Sequence, residues 1–262
     1  MTALRTAVIT GASRGIGLET GLHFLNKGWR VIGCARSAPS PQDQSRIDEM
    51  LQNNKAARHH HLVTDIANQH NQQDFITQVA ELLGDDALHV LINNAAQSPK
   101  SDYKERLGCL NGDMDKWRDV FELNLFAPLS LARGFAPYLA RASQAAKNQS
   151  DASIINITSI AGHRLHPFAG SAYATSKAAL SALTREMAVE FAQIGVRVNA
   201  IAPGEIKTNM LSSEYEPLSS RIPLQRLGSA AEVARAIYQL CQSDFSYVTG
   251  DEIFLTGGQH LY

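Results

Sequence analysis

Hydrophobic positions along this chain fall into two alternating kinds of run. Short, nearly continuous apolar stretches rich in Val and Ile at residues 6–10, 30–34, 60–64, 90–93, 153–158, 197–201 and 251–255 predict strands. Between them, residues 15–27, 41–54, 69–83, 113–142, 173–194 and 229–242 carry apolar side chains at helical spacing. Strands that read as unbroken hydrophobic runs are buried on both faces, and an intervening helix supplies the crossover that a parallel neighbour needs. The pattern predicts an α/β fold: a doubly wound sheet of about seven parallel strands with helices on both faces, one domain over residues 1–262. Two stretches break the rhythm. Residues 142–152 are polar and Ala-rich and read as a lengthened surface connection. Residues 209–223 are too long and irregular for a routine turn and follow a strand end, so 205–223 is expected to be a substrate lid loop.

Composition narrows the class without naming it. The 262 residues are 44% hydrophobic and 19% charged, with 24 basic and 25 acidic side chains and a net charge of −1. No block of one sign offers a grip on nucleic acid or anionic membrane. The three cysteines, Cys34, Cys109 and Cys241, are widely spaced and form no metal or redox motif, and free thiols fit a reducing compartment. No apolar run reaches the ~20 residues of a membrane span. A soluble, cytoplasmic protein without a metal is the expectation. The run His59-His60-His61 leads into a strand and alternates between its faces, which makes a polar edge a better reading than a ligand set.

Two motifs carry chemistry. Gly11, Gly15 and Gly17 sit where the first strand turns into the first helix. Missing side chains there let backbone approach a pyrophosphate, whose charge the helix N-terminus favours. The second strand would place a carboxylate on the ribose of NAD about 20 residues further on. No acidic residue lies between Glu19 and Asp43, and that strand ends in Cys34-Ala-Arg36-Ser. Arg36 with Arg14 would instead clamp a 2′-phosphate, which points to NADP(H). The second motif is Tyr173 and Lys177, four residues apart on one face of a predicted helix. A free phenol has a pKa of about 10, and a fixed ammonium nearby would pull it towards neutrality.

The run Thr10-Gly-Ala-Ser-Arg-Gly-Ile-Gly17, then Asn93-Asn-Ala-Ala96, Ser159, and Tyr173 with Lys177, in that order, resembles the short-chain dehydrogenase/reductase family from about residue 6 to 258. The resemblance implies a Rossmann-type sheet and a nicotinamide cofactor. Tyr173 would be general acid/base, Lys177 its tuning partner and ribose ligand, Ser159 the group that holds the substrate oxygen, and Asn124 the holder of a relay water. It also implies cofactor contacts from Gly11, Ser13, Arg14, Gly15, Ile16, Gly17, Arg36, Asp65, Ile66, Asn93, Ala95, Pro203, Gly204, Ile206 and Thr208, besides Tyr173 and Lys177. Ala96 stands where glycine is usual, and Thr256 where aspartate is common. The long helices at 113–142 and 173–194 resemble those that pair across family dimers and tetramers, and that resemblance implies a homotetramer or homodimer.

The implied reaction is hydride transfer between NADPH and a carbonyl or secondary alcohol, with a 3-oxoacyl thioester as a second substrate. A catalytically idle dinucleotide-binding regulator is the reading from another class. Gln97, His163, Phe168, Glu205 and Leu211 are expected around the substrate, with His166 and Met210 nearby. Glu205 is unusual after Pro203-Gly204. It either faces the substrate opposite the histidines, taking a hydroxylated, amino-bearing or heterocyclic molecule, or turns outward to Lys207 or Arg226.

Overall fold

The computed structural model describes residues 4–100, 106, 108–145, 151–208 and 219–261. Its centre is a seven-stranded sheet: β1 (Thr6–Thr10), β2 (Arg30–Ala35), β3 (Arg58–Val63), β4 (Val90–Asn93), β5 (Ala152–Ile157), β6 (Val196–Pro203) and, after two short strands, β9 (Glu252–Leu255). The spatial order is β3-β2-β1-β4-β5-β6-β9, and every pairing is parallel. The short strands β7 (Ile206–Lys207) and β8 (Gly228–Ser229) pair with each other outside the sheet. Strand β3, with its three histidines, is an edge strand, as the polar run implies.

Strand residues alternate between two hydrophobic layers because successive side chains leave a strand on opposite faces. Val8, Leu91, Ile154 and Val198 join one layer with Phe75 and Val79 of α3 (Gln69–Leu83), Leu131 and Phe135 of α5 (Ala127–Ala145), and Met187 and Phe191 of α6 (Ser171–Ala192). Ile9, Val31, Ile92 and Ile201 point the other way. They pack with Leu22 and Phe24 of α1 (Gly15–Asn26), Ile47 of α2 (Pro41–Asn53), and Ile237 and Leu240 of α7 (Ala230–Leu240). Helix α7 begins with a capping box, Ser229 and Glu232 satisfying each other's backbone donors.

The expected helix at 113–142 is not continuous. It runs as α4 (Met114–Phe121), a π-helical turn at Glu122–Phe126, and α5. Pro128 has no N–H to offer the Asn124 carbonyl, and the Ala127 amide bonds five residues back to Glu122. The widened turn sits at the fully buried Asn124. In the expected lid, residues 209–218 lie outside the described residues. Of the rest, Ile206 and Lys207 pair with β8, while Ile222 and Pro223 lie against Gly257 and Gly258 after β9, where the next residue, Leu224, donates its amide to the Gly257 carbonyl at 3.1 Å.

Sequence order 3-2-1-4 across the sheet means the chain reverses direction between β1 and β4. The crossovers diverge there, and a crevice opens at the strand carboxyl ends. The α3–α5 layer supports that crevice from one side through Phe75 and Phe135, both fully buried with rings edge to face at 5.9 Å. Phe135→Ala should cost ~3–5 kcal/mol of stability, measured by urea unfolding at equilibrium.

Candidate active site

A cavity of about 540 Å³ lies across the carboxyl ends of β1, β4, β5 and β6. One end is the glycine turn. Gly11 and Gly15 adopt φ of +66° and +59°, which only glycine takes freely. A side chain on Gly17 would stand 2.2 Å from the Gly11 carbonyl oxygen, so Gly17 supports the turn from beneath and does not line the cavity. Helix α1 starts here with no side-chain cap at Arg14 and no acidic residue in its first turn, leaving its amide donors open towards the cavity. This is an anion cradle, and it fits the pyrophosphate of a nicotinamide dinucleotide.

Arg14 and Arg36 are both exposed, both line the same end, and neither has an ion-pair partner among the described residues. Ser13, Ile16, Asp65, Ile66 and Ala95 line the cavity with them, as do Pro203, Gly204, Ile206 and Thr208, the last of which lies beside Gly15.

Asn93 departs from expectation. Its side chain is buried within the sheet, donating to Asn156 Oδ1 at 2.9 Å, while Asn156 donates to Thr184 Oγ1 at 2.9 Å. As a strand residue it must point to one face of β4, and that face is interior. Its neighbour Asn94 does the work at the turn: Nδ2 donates to the Thr10 and Gly11 carbonyls at 2.9 and 3.2 Å.

The other end of the cavity holds Ser159, Tyr173 and Lys177. Ser159 follows β5 and caps the 3₁₀ turn Ile160–Gly162, its Oγ accepting the Ala161 amide at 3.1 Å. That leaves the serine proton free to donate to the Tyr173 oxygen. Burial pushes the Tyr173 phenol above its usual range; the Ser159 hydrogen bond pulls it back, and the Glu205 carboxylate pushes it further up. Lys177 is 2% exposed and donates to the Ile157 carbonyl at 2.6 Å. Its Nζ stands 5.8 Å from the centre of the Tyr173 ring, and burial lowers its own pKa to about 7. Desolvation weighs on both groups and disfavours both charges.

Asn124 stands behind the cavity. Its amide donates to the Gln97 carbonyl and to Ser176 Oγ, each at 3.0 Å, and its Oδ1 accepts the Gln97 amide at 2.9 Å. Ser176 in turn donates to the Tyr173 carbonyl at 2.8 Å, so Asn124 ties the loop after β4 to the catalytic helix. The sequence signal for this π-helical position was Pro128, four residues on.

Of the expected substrate groups, Gln97, Phe168 and Glu205 line the cavity. His163 does not. Its ring packs edge-on against Phe254 at 4.8 Å, with Nε2 3.0 Å from Glu252 Oε2, so it faces β9. Leu211 and Met210 lie outside the described residues. Glu205 turns inward: Arg226 pairs with Glu232 instead, and Glu205 bonds His166, also a lining residue.

With this geometry in view, the comparisons are specific. Residues 11–260 match the family described as Enoyl-(Acyl carrier protein) reductase. The chain is 47% identical to Protein FixR of Bradyrhizobium diazoefficiens over 98% of its own length and 87% of the relative's. It is 31% identical to 2-(R)-hydroxypropyl-CoM dehydrogenase of Xanthobacter autotrophicus, over 97% of both. Among solved structures, a Brucella ovis oxidoreductase of the short chain dehydrogenase/reductase family, in complex with a partially ordered NAD, is 40% identical with a TM-score of 0.74, over 97% of this chain and all 100% of that one. The chain belongs to the short-chain dehydrogenase/reductase family, and it is a hydride-transfer oxidoreductase of alcohol and carbonyl groups.

A lysine with a folded-state pKa of about 7 binds fewer protons than its unfolded counterpart between pH 7 and its ordinary value. Its burial penalty is thus largest at and below neutral pH and fades as pH rises. Lys177→Met, which keeps length and removes charge, should melt higher than the wild type at pH 6 to 7, with the gap closing by about pH 10. Differential scanning calorimetry across that range checks it; a gap independent of pH would mean that Lys177 is not destabilised by burial.

Proposed function

We propose that this chain is an NADPH-dependent carbonyl reductase, acting in reverse as an alcohol dehydrogenase, and that residues 1–262 form one nucleotide-binding domain with residues 205–223 over the substrate. The observation that carries this is a single cavity with an open helix N-terminus and two unpaired arginines at one end and Ser159, Tyr173 and Lys177 at the other. When bound, the nicotinamide supplies the hydride to the carbonyl carbon. Tyr173 gives its proton to the carbonyl oxygen, and Ser159 holds that oxygen as charge develops on it. Lys177 holds the nicotinamide ribose and restores the tyrosine proton. Burial favours the protonated phenol, the form that a reductase needs at the start of turnover. Asn124 keeps the relay aligned through Gln97 and Ser176.

The NADP preference rests on Arg14 and Arg36 with no carboxylate at the end of β2, where an NAD ribose would be bound. Exposed apolar side chains, Phe126 of the π-helical turn and Val189 of α6, support a homodimer or homotetramer, and the absence of a membrane-spanning helix among the described residues suits a cytoplasmic protein.

Tyr173→Phe removes only the proton-carrying oxygen. Steady-state turnover should fall by about 10²–10⁴-fold while NADPH affinity, read by fluorescence titration, stays about constant. Arg36→Asp should weaken NADPH relative to NADH by roughly tenfold or more, the equivalent of ~1.4 kcal/mol, with Arg14 keeping the switch incomplete. Dissociation constants for both cofactors decide it; an unchanged ratio removes Arg36 from the site.

A further inference from the structure

Glu205 is a buried charged group of the cavity wall that the proposed chemistry does not use, whereas the other unused charges there, Asp65 and Lys100, are exposed. It is 5% exposed, and its backbone is fixed on both sides: the Gly204 amide donates to the Leu255 carbonyl at 3.0 Å, and its own carbonyl accepts the Gly228 amide at 2.9 Å. Its Oε1 lies 2.5 Å from His166 Nε2. The tautomer of that histidine follows from its other nitrogen. Nδ1 accepts the Phe168 and Ala169 amides at 3.3 and 3.2 Å, so it carries no proton, and Nε2 is the donor to Glu205. The imidazole is held neutral and orients the carboxylate without cancelling its charge.

Among the described residues no lysine or arginine lies within ion-pair distance of Glu205, and Arg106 reaches the His166 carbonyl, at 3.4 Å, not the carboxylate. The second carboxylate oxygen has no hydrogen-bond partner there. Glu205 lines the cavity together with Tyr173 and Ser159. A buried, half-satisfied carboxylate is costly. Here it also opposes the phenolate form of the general acid/base, so proton transfer does not explain it.

We infer that Glu205, aimed by His166, is the substrate-recognition group of this enzyme, and that the substrate is a ketone bearing a hydrogen-bond donor, a hydroxyl or an ammonium, close to its carbonyl. This rests on the carbonyl-reductase reading above. The donor occupies the free carboxylate oxygen, and an ammonium also offsets the charge beside Tyr173. A carboxylate-bearing ketone is repelled, and a plain alkyl ketone leaves Glu205 unpaired.

The test uses the full chain with NADPH and four ketones that share a phenyl carbonyl core: α-hydroxyacetophenone, α-aminoacetophenone, propiophenone and benzoylformate. For the wild type, kcat/KM for the hydroxy and amino ketones should exceed that for propiophenone by about 10²-fold or more, with benzoylformate last. Glu205→Gln keeps the shape and loses the charge. It should lower the amino-to-propiophenone ratio by at least about tenfold, and the hydroxy-to-propiophenone ratio by less. The wild-type ratios need no variant, and NADPH binding reports whether the variant folds. Equal use of propiophenone by the wild type, or an order unchanged in the variant, would overturn the inference while leaving the carbonyl-reductase reading intact, provided Tyr173→Phe abolishes that turnover. No turnover of any ketone would overturn the reading beneath it, and this inference with it.

Discussion

A small hydrogen-bonded lock between the ends of β1 and β4 organises the site. Thr10 Oγ1 accepts the amides of Asn94 and Ala95, each at 3.0 Å, while the Asn94 side chain reaches back to the Thr10 and Gly11 carbonyls. The glycine turn is therefore pinned at the point where strand order reverses and no helix covers the sheet. Gly11 and Gly17 allow the lock to close: a side chain on either would stand 2.8 or 2.6 Å from Asn94 Nδ2. With the turn held, the open end of α1 faces the crevice, and the loop after β4 is delivered to Asn124 and the catalytic helix. The glycine turn and Tyr173 are two ends of one hydrogen-bonded framework.

Desolvation is the second constraint. Lys177 and Glu205 are buried and Tyr173 is half-buried around one cavity, and each charge there is stronger and less tolerated than in solvent. Burial keeps the phenol protonated and brings the lysine to the edge of neutrality, so the pair begins as weak acid beside weak base. The carboxylate of Glu205, held in place by His166, pushes the Tyr173 phenol further up. Glu205 and Tyr173 line the same cavity, so the charge of one bears on the proton of the other.

Much of this was legible in the chain. Period and run length gave seven strands and their helices, because alternation between two hydrophobic layers leaves a direct trace in residue order. The placement of Gly11, Gly15, Tyr173 and Lys177 was readable because it depends on local geometry: a turn that only glycine fits, and a spacing of four on a helix. The edge placement of His59–His61 followed from the same logic. The missing acidic residue after β2 was visible for the same reason, since the strand end and the residue on it are adjacent in sequence.

What the tertiary structure alone decided were pairings between distant segments and the environments they create. Asn93 and Asn94 are neighbours with the same side chain, yet one ties β4 to β5 and the other clasps the glycine turn, because strand geometry sends them opposite ways. His163 and His166 are three residues apart, and only packing sent the first to Glu252 and the second to Glu205. Sequence determined which groups this protein carries and which local geometries it can form. Burial, set by contacts across the whole sheet, decided which of those groups meet and what charge each can hold.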